Sequence, residues 1–421
     1  MYKKFNLHNN IPVVTVNTKD VRSICLGIWV KVGSRYEKQE ENGVSHFLEH
    51  MFFKGTGDLT AKDIAIEIDS MGGELNAFTS CECTTFYIKT LDEHLEKAVK
   101  LLTDIFLDST FPESDIEKEK SIIAEEIKMV EDTPSDYVHE LFSNNTWGES
   151  GLGHSVLGTQ DTIGKFTKGD LLRHINRFYG TDNIIVACSG NFNDEKLVSL
   201  LNQSLGRLDR RGEGNTISTP EFMYRLNIIP KKLSESHICL GLKSIPYGSN
   251  FRYTMYLLNT MLGAGFSSRL FQEIREKRGL AYSIYSFNLS YSDTGLWGVY
   301  AGTDKAHVKE VIEVTVSEIK SLSTSITDIE FQRAKDQLKG NLILALESTS
   351  NRMANLAKQE IYFGRYFSPE EVMMSVDSVT LEDVKNLSQS LSGEKPFALT
   401  IYGPVKEGDR EAIKKIISIT P

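Results

Sequence analysis

The chain has 421 residues, 40% of them hydrophobic and 25% charged, which is enough for two domains, each with a core of its own. Its 57 acidic residues outnumber 47 basic ones and leave a net charge of −10. That balance argues against nucleic acid or an anionic membrane as the main partner, and leans towards basic or neutral substrates. No apolar run of about 18 residues is present, so no membrane-spanning helix is expected. The first ten residues carry two lysines with no apolar stretch behind them, and a cytoplasmic protein is expected. The five cysteines (Cys25, Cys81, Cys83, Cys188 and Cys239) are an odd number. Cys81 and Cys83 are too close in sequence for an ordinary structural disulfide, so reduced thiols are expected throughout.

Residues 11–16 and 23–32 are rich in β-branched side chains and read as strands, separated by a turn at Lys19-Asp20. A charged loop then leads to Asn42-Gly43-Val44-Ser45-His46-Phe47-Leu48-Glu49-His50-Met51-Phe52-Phe53-Lys54-Gly55. This stretch predicts a short helix, with Asn42 as N-cap, Gly55 as a left-handed stop and Val44, Phe47, Leu48, Met51 and Phe52 as an apolar stripe. Residues three and four apart share a helix face, so His46, Glu49 and His50 converge. Two imidazoles at i and i+4 can hold Zn²⁺, and a carboxylate beside them can reach a water bound to it. The order is H-x-x-E-H, the reverse of the commoner H-E-x-x-H helix. Such a pattern arises by chance in roughly one chain in sixty of this histidine content. A plain pair of histidines on an amphipathic helix is the alternative, and a third ligand decides between them.

Residues 61–71 predict a second helix, stopped by Gly72-Gly73. Residues 75–79 and 84–90 read as strands, and residues 91–107 as a helix with Leu95, Val99, Leu102 and Phe106 in register. Ser114, with Glu117 as a capping box, opens the next helix and Pro134 closes it. Glu117, Glu119, Glu125 and Glu126 lie on that helix; Glu119 and Glu126 are two turns apart and flank its apolar stripe, so both can point inward. A Gly-rich loop over 146–159, a strand over 183–188 and a helix over 194–205 follow. The polar segment 206–220 is the best linker, dividing the chain into domains 1–205 and 221–421.

The second half repeats the first in outline. A strand over 397–402, Gly403-Pro404 and the helix Asp409–Ile417 match the strand-Gly-helix ending near Gly190. A helix through Phe271-Gln272-Glu273-Ile274-Arg275-Glu276-Lys277 stops at Gly279 before a strand from Tyr282, as the first half stops at Gly73. Nothing in the second half resembles His46-x-x-Glu49-His50. Gly263-x-Gly265 lacks the third glycine and preceding strand of a phosphate loop and reads as a turn.

The H-x-x-E-H helix, the glutamates of Ile122-Ile123-Ala124-Glu125-Glu126-Ile127-Lys128, the duplicated halves and the Arg275…Tyr282 segment together resemble the insulinase/pitrilysin metallopeptidases, in the short-chain branch similar to mitochondrial processing peptidase. The resemblance covers nearly the whole chain. It implies an α+β fold of two homologous domains, each a mostly antiparallel sheet with helices on one face, together forming half of a clam-shell chamber. It places the third zinc ligand at Glu126, with Glu125 the rival, and a carboxylate that orients the site at Glu119. It makes Gly73-Glu74-Leu75-Asn76-Ala77-Phe78-Thr79-Ser80 a substrate-binding edge strand, in which Asn76, Ala77, Phe78 and Thr79 pair with an extended peptide. Arg275 and Tyr282, with Arg278 a nearby decoy, match a pair that grips the substrate backbone and its oxyanion.

The implied activity is that of a zinc-dependent endopeptidase acting on unfolded peptides or small flexible proteins, with Glu49 as general base on a zinc-bound water. Because a chamber takes four such domains and the chain supplies two, a homodimer is implied. Two other readings remain: a non-catalytic peptide-binding or assembly subunit of the same fold, and a zinc hydrolase acting on something other than peptides. The family's common Asn-Gly-Leu start is replaced here by Asn9-Asn10-Ile11-Pro12, which touches the first strand and not the chemistry.

Overall fold

A computed structural model describes residues 1–214, 217–393, 395–406 and 408–418; residues 215 and 216 of the expected linker lie outside the described set. The chain divides into two compact units, each built on one sheet. The first comprises Met1–Met129, His154–Ser218 and Leu344–Tyr366, and the second Val130–Gly153, Thr219–Ile343 and Phe367–Pro421.

In the first unit the strands are β1 (Tyr2–Asn6), β2 (Pro12–Asn17), β3 (Ser23–Val30), β4 (Glu74–Thr79), β5 (Thr84–Leu91) and β6 (Ile184–Gly190). Their order is β1-β2-β6-β3-β5-β4. The pair β2–β6 is parallel and all other neighbours are antiparallel. β3 is apolar at nearly every position, a pattern that demands cover on both faces of the sheet. Ile24, Leu26, Ile28 and Val30 pack into the main core with Leu102 and Phe106 of the helix Leu95–Asp108. Cys25 and Trp29 face the opposite way, against Met353, Leu356 and Ala357 of the helix Thr349–Phe363. The Trp29 indole N–H points at Met353 Sδ, 3.2 Å away. A side chain at Gly27 would come within 2.7 Å of the same sulfur, so the missing Cβ leaves the space that the Met353 side chain fills.

In the second unit the strands are β7 (Leu226–Ile229), β8 (Ser236–Ser244), β9 (Ala281–Ser290), β10 (Gly295–Thr303) and β11 (Ala398–Tyr402), in the order β7-β11-β8-β10-β9. One face carries the core built by the helices Arg252–Gly263, Val308–Ser321, Leu381–Ser392 and Asp409–Ile417. The other is covered by the helix Pro134–Trp147. Its Phe142 ring lies against Gly241, and its Asn145 amide donates to the Arg225 and Leu399 carbonyls at 3.1 and 3.2 Å.

Each sheet therefore has helices on both faces, not on one as expected. The covering helix in each case comes from the other half of the sequence, so segments 130–153 and 344–366 group apart from a linear cut at 206–220. Neither covering helix was predicted. Pro134 opens one of them, and the acidic helix before it spans Glu113–Glu131, so Ser114 sits inside that helix and is not its cap.

Leaving β1 aside, the two sheets share one plan of a parallel pair followed by three antiparallel pairs. The sequence repeats with it: Ile24-Cys25-Leu26-Gly27 returns as Ile238-Cys239-Leu240-Gly241, 214 positions on (238 − 24). The same spacing sets Thr260, Gly263 and Ala264 opposite His46, Glu49 and His50. A side chain at Gly263 would meet the Ser286 nitrogen of β9 at 2.4 Å, so that position has no room for a glutamate.

Candidate metal centre

The helix Val44–Met51 buries Val44, Phe47, Leu48 and Met51 in the main core, which turns the side of the helix bearing Glu49 and His50 towards partly open space. Its N-terminus departs from expectation. The capping position is Gly43 at φ +94°, and the buried carboxylate of Glu37 accepts the N–H groups of Gly43 and Ser45 at 2.7 and 2.8 Å. A side chain at Gly43 would also strike the Gly158 Cα at 2.7 Å. Asn42 does not cap; its amide donates to the Ser155 carbonyl at 2.9 Å and to Glu37 at 3.3 Å. A carboxylate at a helix N-terminus satisfies orphan donors and complements the dipole. At the other end the helix stops at Met51, ahead of Gly55, which takes φ +128°.

The acidic helix Glu113–Glu131 passes alongside. Glu126 Oε2 lies 3.7 Å from His46 Nε2 and 3.6 Å from His50 Nε2, and one ligand atom from each residue lies within 4.8 Å of the others. Among the described residues this is the one group with that property. Glu125 faces the other way, 73% exposed and paired with Lys128 at 2.7 Å. Tetrahedral zinc with bonds of about 2.0–2.1 Å sets neighbouring donors ~3.4 Å apart; the two carboxylate–imidazole spacings are close to that, and the full spread of up to 4.8 Å has the side chains close in on an ion as it binds. Two imidazole nitrogens and one carboxylate are also a known catalytic donor set.

The electrostatics suit that use. Burial, and next the neighbouring His50 ring, push His46 down to about 4, so it is a neutral imidazole near neutral pH. Burial works against the charged form of His50, but hydrogen bonds to Glu126 and Glu119 outweigh it and raise its pKa. The His50 hydrogen bond holds Glu126 below the usual carboxylate range. Glu119 is buried, with Oε2 3.0 Å from His50 Nδ1 and Oε1 2.6 Å from Lys54 Nζ.

Glu49 lies on the same helix, and burial raises its pKa while the Thr79 hydroxyl, donating at 2.6 Å, opposes the shift. Thr79 ends β4, the outermost strand of its sheet, so Asn76, Ala77, Phe78 and Thr79 form an edge whose last residue touches Glu49. Phe78 stacks edge-on against Trp29, and the Ala77 N–H bonds to the Asn76 side chain at 2.8 Å.

Arg275 and Tyr282 belong to the second unit. They meet there, with the guanidinium carbon 4.8 Å from the Tyr282 ring centroid and 4.8 Å from that of Phe271. Tyr282 is 76% exposed. Arg278 lies 3.5 Å from Glu310 instead. Sequence reasoning missed Glu37, Lys54 and Phe271. Phe271 had a signal, being one helical turn before Arg275; Glu37 and Lys54 flank the H-x-x-E-H helix in sequence, but the groups they touch are set by folding.

Comparison with known proteins points the same way. Residues 12–160 match the model of the insulinase family (peptidase family M16), and residues 165–338 match that of the peptidase M16 inactive domain. The uncharacterized zinc protease YmxG of Bacillus subtilis is 38% identical over 405 residues, covering 96% of this chain and 98% of its own. Among solved structures, a protease from Helicobacter pylori superposes with a TM-score of 0.88 at 23% identity, over 96% of this chain and 99% of that one. A chain of complex III2 from Candida albicans gives 0.87 at 22% identity, over 99% of both. These two likenesses establish the fold alone.

Proposed function

The chain belongs to the insulinase family of peptidases, M16, and on that premise we propose that it is a zinc-dependent endopeptidase that hydrolyses unfolded peptides and small flexible proteins. The observation that carries the proposal is the convergence of His46, His50 and Glu126 on one point, with Glu49 on the same helix and bonded to a sheet edge. His46 Nε2, His50 Nε2 and Glu126 Oε2 would hold the ion. Zinc, when bound, supplies a Lewis acid that makes water a nucleophile near neutral pH and polarises the scissile carbonyl.

The chain's own groups do the rest. An extended peptide adds to the free side of β4, where main-chain hydrogen bonds supply affinity with loose side-chain demands. The Glu49 carboxylate takes the proton of the attacking water and hands it to the leaving amine nitrogen. Its raised pKa brings it nearer the working pH, which favours both transfers. Glu119 holds the Nδ1 side of His50 and so fixes the ring. Arg275 and Tyr282 bind the peptide carbonyl and stabilise the oxyanion. Four units make the family's chamber and one chain supplies two, so the working form is a homodimer.

A non-catalytic subunit of the same fold would have no need of Glu49 beside a complete donor set. Substituting Glu49→Gln should leave bound zinc unchanged, measured by atomic absorption, while cleavage of a mixed peptide library falls by at least about 10²-fold. Cleavage at the wild-type rate in a zinc-replete Glu49→Gln protein would remove the assigned role.

A further inference from the structure

Glu119, which fixes His50, is itself held by a second group, Lys54. We infer that Lys54 is a positioning residue of the metal centre: it fixes Glu119, and through Glu119 the ring of His50. This rests on the zinc reading above and extends it to a residue to which that reading gives no part.

Three observations carry the inference. Both oxygens of the Glu119 carboxylate are engaged, one by Lys54 Nζ at 2.6 Å and the other by His50 Nδ1 at 3.0 Å. The terminal torsion of a glutamate is broad and roughly two-fold, so a carboxylate held at one oxygen only can swing; held at both, it presents a fixed edge to the imidazole. The Glu119 side chain is 3% exposed, so water has little access to replace the ammonium if it is removed.

The third observation is the placement of Lys54 itself. It lies four residues beyond His50 but outside the helix, which ends at Met51. The turn that carries it is stitched to the segment just ahead of the acidic helix. Ser109 Oγ donates to the Phe52 carbonyl at 2.9 Å, the Thr110 N–H donates to the Gly55 carbonyl at 3.2 Å, and Thr56 and Ser109 form a bridge. Lys54 therefore stands at a fixed place between the helix that bears both histidines and the helix that bears Glu119 and Glu126. A cation there sets the register of the two halves of the donor set. An ion pair that served only to join two helices would need neither the second oxygen on a ligand histidine nor so anchored a turn.

The experiment measures zinc affinity of the full-length protein by chelator competition with no peptide present. Lys54→Met should bind zinc about 10- to 100-fold more weakly, the usual loss when an outer partner of a ligand is removed. Lys54→Arg, which keeps a cation, should restore most of that affinity. Glu119→Gln should weaken binding similarly, and Lys54→Met added to it should cost little more, because the two act in series. Wild-type affinity in Lys54→Met, or losses that simply add in the double variant, would overturn the inference. Should Lys54→Met fail to fold, Lys54→Gln is read on the same scale. Absence of zinc binding by the wild-type protein would instead defeat the functional reading, so the two failures are distinct.

Discussion

Glu125 and Glu126 are adjacent, identical in chemistry and carried on one helix, yet about 100° of helical rotation separates them. Glu126 reaches both imidazoles, whereas Glu125 points to solvent and Lys128. Glu126→Gln should therefore release zinc at chelator concentrations that leave Glu125→Gln loaded, a difference read by metal analysis after dialysis. His174 offers a test of a different kind. It is buried behind the metal helix with Nε2 3.4 Å from Ser45 Oγ, and burial, aided by nearby Arg177, pushes it down to about 3 from 6.5. The folded pKa lies below the unfolded one, so between those values the unfolded chain binds the extra proton. The stabilisation is complete above about pH 6.5 and declines as the pH falls, by about 1.4 kcal/mol at pH 5.5. Urea midpoints measured at pH 7.5 and 5.5 should fall less in His174→Gln than in the wild type; equal slopes would remove the assignment.

At the scale of elements, the metal helix is short, and its N-terminus is held by a carboxylate from the preceding loop and not by a side chain at the capping position. Glu37 satisfies the N-terminal N–H groups in place of Asn42, because Gly43 in the left-handed region turns the backbone away from the Asn42 side chain. Helices of eight residues have little stability alone, so packing and such contacts supply it. The helix Thr349–Phe363 shows the same dependence from the other side. Its Met353 sulfur accepts the Trp29 indole N–H and fills the space beside Gly27 in the first unit's sheet. Met353→Ala should destabilise the first unit by about 2–5 kcal/mol through the cavity it leaves. With Trp147 and Trp297 of the second unit replaced by Phe, Trp29 fluorescence during urea unfolding follows the first unit, and an unchanged midpoint would mean that the helix contributes little there.

For the whole molecule, the described residues include no helix long and apolar enough to cross a membrane. None of the five cysteines is bonded to another in this structure. The proposed homodimer predicts sedimentation at twice the chain mass at working concentrations; a monomer at full activity would count against it. The composition, the H-x-x-E-H spacing and the repeated halves were readable directly, since helical periodicity alone brings His46, Glu49 and His50 to one face. The run of apolar residues in β3 fits a sheet buried on both sides, yet cover on one face alone was expected, and the second layer emerges only in the folded chain. A local pattern cannot say which distant helix supplies that cover. Nor can it choose between Glu125 and Glu126, or seat Lys54 on Glu119. Those depend on contacts between segments 60 to 320 residues apart, which exist only once burial of apolar surface has brought them together. Helix and strand periods decided the elements and the motif; the packing of one element on another decided the site.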